Sequence, residues 1–405
     1  MGNTEPARVA AESQFPIIGN LRGEDFQSLE SPVSRRAKFM PDFFPAAAAR
    51  DWNDWRWQIR NRIRDRDGLE RIFVLSDDER AALDRIGGRM PIGITPYYAS
   101  LISRDDPGDP LRRTKIPVAA ELIQSPGEYS DPLGEDSHNP VPGLVHTYPD
   151  KVLFLATDFC ATYCRYCMRS RLVGKGTLLP NIAMWERALE YIRTHCEVRD
   201  VLISGGDPLI MADDRIEWLL QRLRAIPHVE FLRIGTKVPA VLPQRITPAL
   251  VTMLKEFHPL FMSLHFVHPS ELTPECSRAC ERLADAGIPL GGQMVLLKGV
   301  NDDAAVMKRL CTGLLKIRVK PYYLHQCDAI AGSQHFRTKI SDGLEIIRAL
   351  HGHTTGYAVP HFMVDAPGGG GKVPLSPDYR AGRAGDDQLF ANYAGEVYRY
   401  RDPGF

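Results

Sequence analysis

The chain has 405 residues, with 50 basic and 50 acidic side chains and a net charge of zero. That balance gives no electrostatic footprint for nucleic acid or an anionic membrane, and no apolar run approaches the ~18 residues a transmembrane helix needs. Eight cysteines in a chain this long make no disulfide framework, so a reducing cytoplasm is the expected location.

The N-terminus has no basic-then-apolar signal pattern, and Met1-Gly-Asn-Thr-Glu-Pro6 lacks the Ser or Thr of a myristoylation site. Residues 1–45 are polar and aperiodic and are expected to form a loosely ordered arm. Residues 46–150 form a helical region and a connector. Trp52, Trp55, Ile59, Ile63, Leu69 and Ile72 recur at helical spacing, and Ser76-Asp-Asp-Glu79 predicts a capping box. The connector, 105–149, is rich in Pro, Gly and Asp.

Over residues 151–357 the pattern becomes strand, loop, helix. Val152–Ala156 precedes a helix at Met184–Thr194, Asp200–Ser204 one at Asp214–Ala225, and Phe231–Gly235 one at Pro248–Phe257. Leu260–His265 precedes Pro274–Ala286, Pro289–Leu297 precedes Ala304–Ile317, and Lys320–His325 precedes Ser341–Leu350. Such alternation demands a parallel sheet with right-handed crossovers. Six units predict an α/β fold with a partial (β/α)6 TIM-like barrel, against a complete eight-stranded one. Residues 358–405 add an apolar strand at Ala358–Val364, a glycine run, and a tail, Gln388–Tyr400, that reads as a closing strand or hairpin.

Two motifs carry chemistry. Cys160, Cys164 and Cys167 follow the spacing C-x3-C-x2-C directly after the first strand. Three thiolates can hold three irons of a [4Fe–4S] cube and leave the fourth open to chelation by S-adenosylmethionine. A zinc site would need a fourth Cys or His close by, and neither His146 nor Cys196 stands at a usual zinc spacing. The second motif is Gly368, Gly369, Gly370 and Gly371 ahead of Lys372. Each glycine costs roughly 0.5–1 kcal/mol of chain entropy against Ala. Consecutive glycine N–H groups can form a nest for a phosphate, and a neighbouring lysine suits a Schiff base with an aldehyde cofactor. On residues alone a flexible linker is the favoured competing reading of this run.

The cluster run and its surroundings resemble the radical S-adenosylmethionine superfamily, and within it the lysine 2,3-aminomutase family. The similarity extends from about residue 50 to about residue 400. It is carried by Trp52-Asn-Asp-Trp-Arg-Trp-Gln-Ile-Arg-Asn-Arg62, Asp158–Arg169, Ile203-Ser-Gly-Gly-Asp207, Pro243–Pro248, Pro321–Asp328 and, most specifically, Asp365-Ala-Pro-Gly-Gly-Gly-Gly-Lys372. The resemblance implies a 2,3-aminomutase, an isomerase that shifts an amino group by radical chemistry. Its cofactors would be a [4Fe–4S] cluster on Cys160, Cys164 and Cys167, S-adenosylmethionine, and pyridoxal 5′-phosphate bound covalently to Lys372 with its phosphate in the glycine nest. Tyr166, Ser204, Gly205, Gly206, Asp207, His265 and Gln293 would contact S-adenosylmethionine. Arg169 would clamp the substrate carboxylate, and Asp328 and Asp365 would receive a cationic side chain.

That pair of carboxylates makes L-lysine the first expected substrate and L-arginine the alternative; glutamate-specific relatives need a lysine and an amide there. Relatives acting on a translation-factor lysine rank third. From another class, a non-catalytic iron–sulfur electron-transfer protein would need neither the glycine-run lysine nor the carboxylate pair. Three departures from the family pattern stand out. His325 replaces a tyrosine; Ala329 and Ala331 replace larger side chains, which is expected to leave room for a bulkier cation. Asp303 stands where clostridial members have a zinc cysteine, and no cysteine follows Lys372. Zinc is therefore expected to be absent. Expected partners are the amino acid, an external electron donor such as flavodoxin or ferredoxin, and further copies of the chain as a dimer or tetramer.

Overall fold

The computed structural model describes residues 32–87, 90–176 and 181–402. Its centre is one nine-stranded sheet whose strands lie side by side in chain order. The strands are β1 Leu144–Tyr148, β2 Lys151–Thr157, β3 Asp200–Gly205, β4 Phe231–Thr236, β5 Leu260–His265, β6 Leu290–Leu296, β7 Lys320–Gln326, β8 His361–Ala366 and β9 Gly371–Leu375. From β2 to β8 every neighbouring pair is parallel, while β1 on β2 and β9 on β8 are antiparallel. The six expected βα units are present, followed by β8 as a seventh parallel strand. No ladder joins β1 to β9, so the barrel stays open. Its edges nevertheless meet at one point, where the Lys372 backbone N–H donates to the Tyr148 hydroxyl at 2.8 Å.

The crossover helices follow from capping and periodicity. Thr247 and Thr273 each cap a helix through the side-chain oxygen, with Pro248 and Pro274 at the first helical position. That pairing supplies an acceptor for an orphan N–H and a preset φ. The helix Ile182–Thr194 buries Met184, Trp185, Ala188, Leu189 and Ile192, a stripe at the 3.6-residue period. Val152, Phe154 and Ala156 of β2 face the helices and are buried; Leu153 and Leu155 alternate with them.

The N-terminal part departs from expectation. Pro32–Phe43 is a helix rather than a loose arm, held by Phe39, which is buried and packs against Phe43 and Trp52. The remainder of the expected arm, residues 1–31, lies outside the described residues. The Trp52–Ile72 pattern folds as three short helices, Ala49–Trp52, Trp55–Arg60 and Arg66–Ile72. Asp54 and Asp65 each restart a helix by capping it, and Ile63 between them forms a bridge with Ile94. The capping box forms as expected, with reciprocal Ser76 and Glu79 bonds at 2.7 and 3.2 Å. The tail Gln388–Tyr400 forms the hairpin of its two readings, β11 Asp387–Ala391 with β12 Val397–Arg401, joined by β10 Arg380–Ala384 in a separate antiparallel sheet; the strand on the barrel edge is β9. Among the described residues no helix is long and apolar enough to cross a membrane.

Candidate active site

The cysteine loop leaves the C-terminal end of β2, where Thr157 Oγ1 accepts from the Phe159 N–H at 3.2 Å. Cys160, Cys164 and Cys167 line one cavity of about 270 Å³ at the C-terminal ends of the strands, together with Tyr166, Arg169, Ser204, Gly205, Gly206, Asp207, His265, Gln293, Asp328, Asp365 and Lys372. Burial pushes the Cys160 thiol well up and the Cys167 thiol to about 11. Burial acts the same way on Cys164, but the Lys115 and Lys237 ammonium groups outweigh it and bring that thiol below its ordinary value. Lys115 Nζ stands 3.0 Å from Cys164 Sγ. Among the described residues no three His, Cys, Asp or Glu side chains gather tightly enough for a single metal ion. The three thiols line the cavity without a fourth thiol. That donor set fits a cube with one open iron.

Gly205 and Gly206 are required by the cysteine loop itself. A Cβ on Gly205 (φ +113°) would lie 2.3 Å from the Thr157 carbonyl oxygen, and one on Gly206 2.4 Å from that of Phe159. The backbone of β3 thus presses directly on the loop, which gives a packing reason for small residues at both positions. Asp207 accepts from Thr236 Oγ1 at 2.7 Å, the Lys237 N–H at 2.8 Å and the Leu209 N–H at 3.2 Å, so its carboxylate ties β3 to β4. His265 Nε2 and the Tyr166 hydroxyl are 3.3 Å apart. Burial, with Lys237 and Lys115 nearby, holds His265 well below the usual imidazole range, so it is neutral.

On the opposite wall the β8–β9 register sets Asp365 across from Lys372, and Lys372 Nζ donates to Asp365 Oδ1 at 2.6 Å. Asp365 Oδ2 is 3.2 Å from His325 Nδ1. Burial opposes the Asp365 charge, yet His325 and Lys372 prevail and hold its pKa at about 2. Of the two carboxylates expected to receive a cationic side chain, Asp365 is already paired, and Asp328 has no ion pair among the described residues. Burial, then Asp365, raises Asp328 to about 7. Arg169, expected to clamp the substrate carboxylate, gives its Nε and Nη2 to Glu135 at 3.0 and 2.7 Å; its Nη1 carries no hydrogen bond among the described residues.

The glycine run is a built turn, not a linker. Gly368, Gly369 and Gly371 have φ of +69°, +89° and +79°. A Cβ on Gly369 would strike the His138 ring at 2.2 Å, because the connector packs against the run. Gly368 donates its N–H to the Pro132 carbonyl at 3.0 Å, which removes it from the expected four-glycine nest. Gly370 and Gly371 take successive right- and left-handed conformations, the geometry of a two-residue nest. Gly369 and Gly371 line a second lobe of about 440 Å³, shared with Tyr148, Lys151, Arg233, Asp365 and Lys372. Ala329 and Ala331 do not line the cavity. The Ala331 N–H and the Ala329 carbonyl both bond to the Tyr129 backbone, so these alanines widen nothing.

Several residues at the site escaped the sequence reading. Lys115, Glu121 and Glu135 all come from the connector; Glu121 holds Arg165 of the cysteine loop at 3.0 Å. Lys237 pairs with buried Glu271 at 2.7 Å beneath the cavity. Their only signal was several charged side chains in or beside an otherwise turn-forming stretch.

A strand-end cavity ringed by three cysteines at this spacing, on an open (β/α)6 frame, defines a radical S-adenosylmethionine enzyme. Residues 154–310 match the Radical SAM superfamily and residues 347–404 the family Lysine-2,3-aminomutase. The L-lysine 2,3-aminomutase of Clostridium subterminale is 49% identical over 371 residues, 92% of this chain and 88% of that one. The L-lysine 2,3-aminomutase of Acetoanaerobium sticklandii is 50% identical over 361 residues, 89% and 87%. The glutamate 2,3-aminomutase of Clostridioides difficile is 44% identical over 352 residues, 87% and 83%. This chain belongs to the lysine 2,3-aminomutase family, whose members are isomerases. Membership of the superfamily implies a [4Fe–4S] cluster and S-adenosylmethionine.

Proposed function

We propose that the protein is a pyridoxal-phosphate-dependent 2,3-aminomutase acting on a cationic L-α-amino acid, with L-lysine first. The observation that carries this is Asp328, a carboxylate without an ion pair among the described residues, which lines the same cavity as Asp365 and is raised to about 7. Such a group calls for a cationic guest, because an uncompensated buried charge is costly. A relative named for glutamate shows that family membership alone does not set the substrate.

Cys160, Cys164 and Cys167 would hold the cluster, which with S-adenosylmethionine supplies a carbon-centred radical. Tyr166, Ser204, Gly205, Gly206, Asp207, His265 and Gln293 form the wall on which the sulfonium would rest. Lys372 would hold pyridoxal phosphate covalently, and Gly370 and Gly371 would offer N–H groups to its phosphate, with Lys151 lining the same lobe. Bound there, that cofactor supplies a π system that spreads unpaired spin. Engaging Lys372 releases Asp365 from its present ion pair, so both aspartates face the guest together. Glu135 holds one edge of Arg169 and leaves the other for the substrate carboxylate, a bidentate task suited to guanidinium. The protein's share is positioning and exclusion of water.

L-arginine is the second reading, favoured by His325, a cavity-lining ring smaller than the tyrosine of the family pattern. The test is anaerobic incubation of the reconstituted enzyme with each of the twenty amino acids, scored for β-isomers. Lysine, then arginine, is expected to lead. Faster conversion of glutamate, alanine or tyrosine would refute the cationic pocket. Lys372→Ala is expected to abolish the Schiff-base absorption while iron content holds.

A further inference from the structure

Beyond the cavity, an arginine-rich cleft reaches the cysteine loop through Arg62. A cleft of about 410 Å³ is lined by Arg60, Arg62, Ile63, Arg64, Asp65, Asp67, Gly68 and Arg71. Four guanidinium groups face two carboxylates there, in a chain whose net charge is zero. Asp65 is also committed, since its Oδ1 accepts from the Gly68 N–H at 2.8 Å as a helix cap. Arg60 reaches Asp54 only at 3.7 Å, between exposed side chains. No carboxylate among the described residues lies within ion-pair distance of Arg62, Arg64 or Arg71.

Arg62 connects the cleft to the cluster ligands. Its Nη1 donates to the Cys160 carbonyl at 2.6 Å, and its guanidinium lies over the Phe159 ring at 4.1 Å. One hydrogen bond therefore separates the cleft from the backbone of a cluster cysteine. No residue lines both the cleft and the catalytic cavity.

We propose that this arginine cleft is the docking surface for an acidic one-electron carrier protein that reduces the cluster. The carrier gives up one electron and the cube gains one; no atom is transferred. The proposal rests on the superfamily assignment and is independent of which amino acid is the substrate. Positive charge focused in a cleft raises the encounter rate with an acidic partner, and the gain falls as salt screens it.

The test uses the reconstituted full-length enzyme, with Arg62 left intact because it touches the cysteine loop. R60E/R64E and the charge-conserving R60K/R64K are compared with wild type. 5′-Deoxyadenosine formation is driven either by dithionite or by a reduced acidic [2Fe–2S] ferredoxin at graded salt. The expected result for R60E/R64E is an unchanged dithionite rate and full iron content. Its KM for ferredoxin should rise about tenfold or more, with a flattened salt dependence, while R60K/R64K behaves like wild type. An unchanged KM overturns the proposal. So does an equal loss in both assays, which would make the arginines structural. A change in self-association with an unaltered KM overturns it in favour of a second copy of the chain.

Discussion

Removing the charge of Asp328 is expected to stabilise the protein while disabling it. Its pKa rises from 3.8 to about 7, first through burial and then through Asp365. Lys372 and Arg169 act in the other direction, and Glu135 adds to the rise. Roughly three pKa units at ~1.4 kcal/mol each bound the penalty of the ionised form at about 4 kcal/mol. The cavity admits water, which screens part of this, so about 2 kcal/mol is the working figure. The sign follows from proton binding. Between about pH 4 and 7 the folded state holds a proton that the unfolded state has lost, so stability falls as pH rises through this window and then levels off. Asp328→Asn removes that slope. Over 405 residues, 2 kcal/mol corresponds to about 2 °C in Tm. Thermal unfolding of the anaerobic holoenzyme from pH 5 to 9 should therefore show the variant ahead of wild type by less than about 1 °C at pH 5 and by about 2 °C at pH 8. Saturating L-lysine should raise the Tm of wild type at pH 8 and not that of the variant, whose turnover should drop by orders of magnitude. Parallel pH profiles, or a variant less stable than wild type at pH 8, would refute the reasoning.

Four further outcomes are expected. Ala at Cys160, Cys164 or Cys167 should abolish S-adenosylmethionine cleavage, whereas Ala at Cys196, Cys276, Cys280, Cys311 or Cys327 should leave the cube intact; a full cluster spectrum in Cys164→Ala would sink the ligand assignment. Metal analysis should find iron without stoichiometric zinc, since Asp303 is a helix cap bonded to the Val306 N–H at 2.9 Å; one tightly held zinc per chain would contradict this. Gly206→Ala forces a Cβ to within 2.4 Å of the Phe159 carbonyl oxygen and should cost about 1–3 kcal/mol, read as a lower Tm and lost iron; full iron loading with an unchanged Tm would refute the packing argument. Lys115→Met removes a hydrogen bond to Cys164 Sγ and should lower the cluster midpoint potential by roughly 50 mV; an unmoved potential in an EPR-monitored titration would show that the contact does not tune the cube.

The strand–helix alternation was legible along the chain because it is local. The alternation placed all six crossover helices within two residues of their observed bounds. The cysteine triad stood out for the same reason: three thiols within eight residues share one loop, and the fold brings them to one cavity. The N-terminal helices were misread as one pattern because a helical period does not reveal that Asp54 and Asp65 cap and restart the chain.

Only the tertiary structure decided which charges meet. Asp365 and Lys372 became partners through the antiparallel register of β8 and β9, a pairing that the six intervening residues do not announce. Lys115 and Glu135 reach Cys164 and Arg169 across sequence separations of 49 and 34 residues. A single charged residue in a turn-rich connector carries no period and no motif. Its meaning comes from where the folded chain places it: a buried ammonium or carboxylate stands where desolvation makes a partner obligatory.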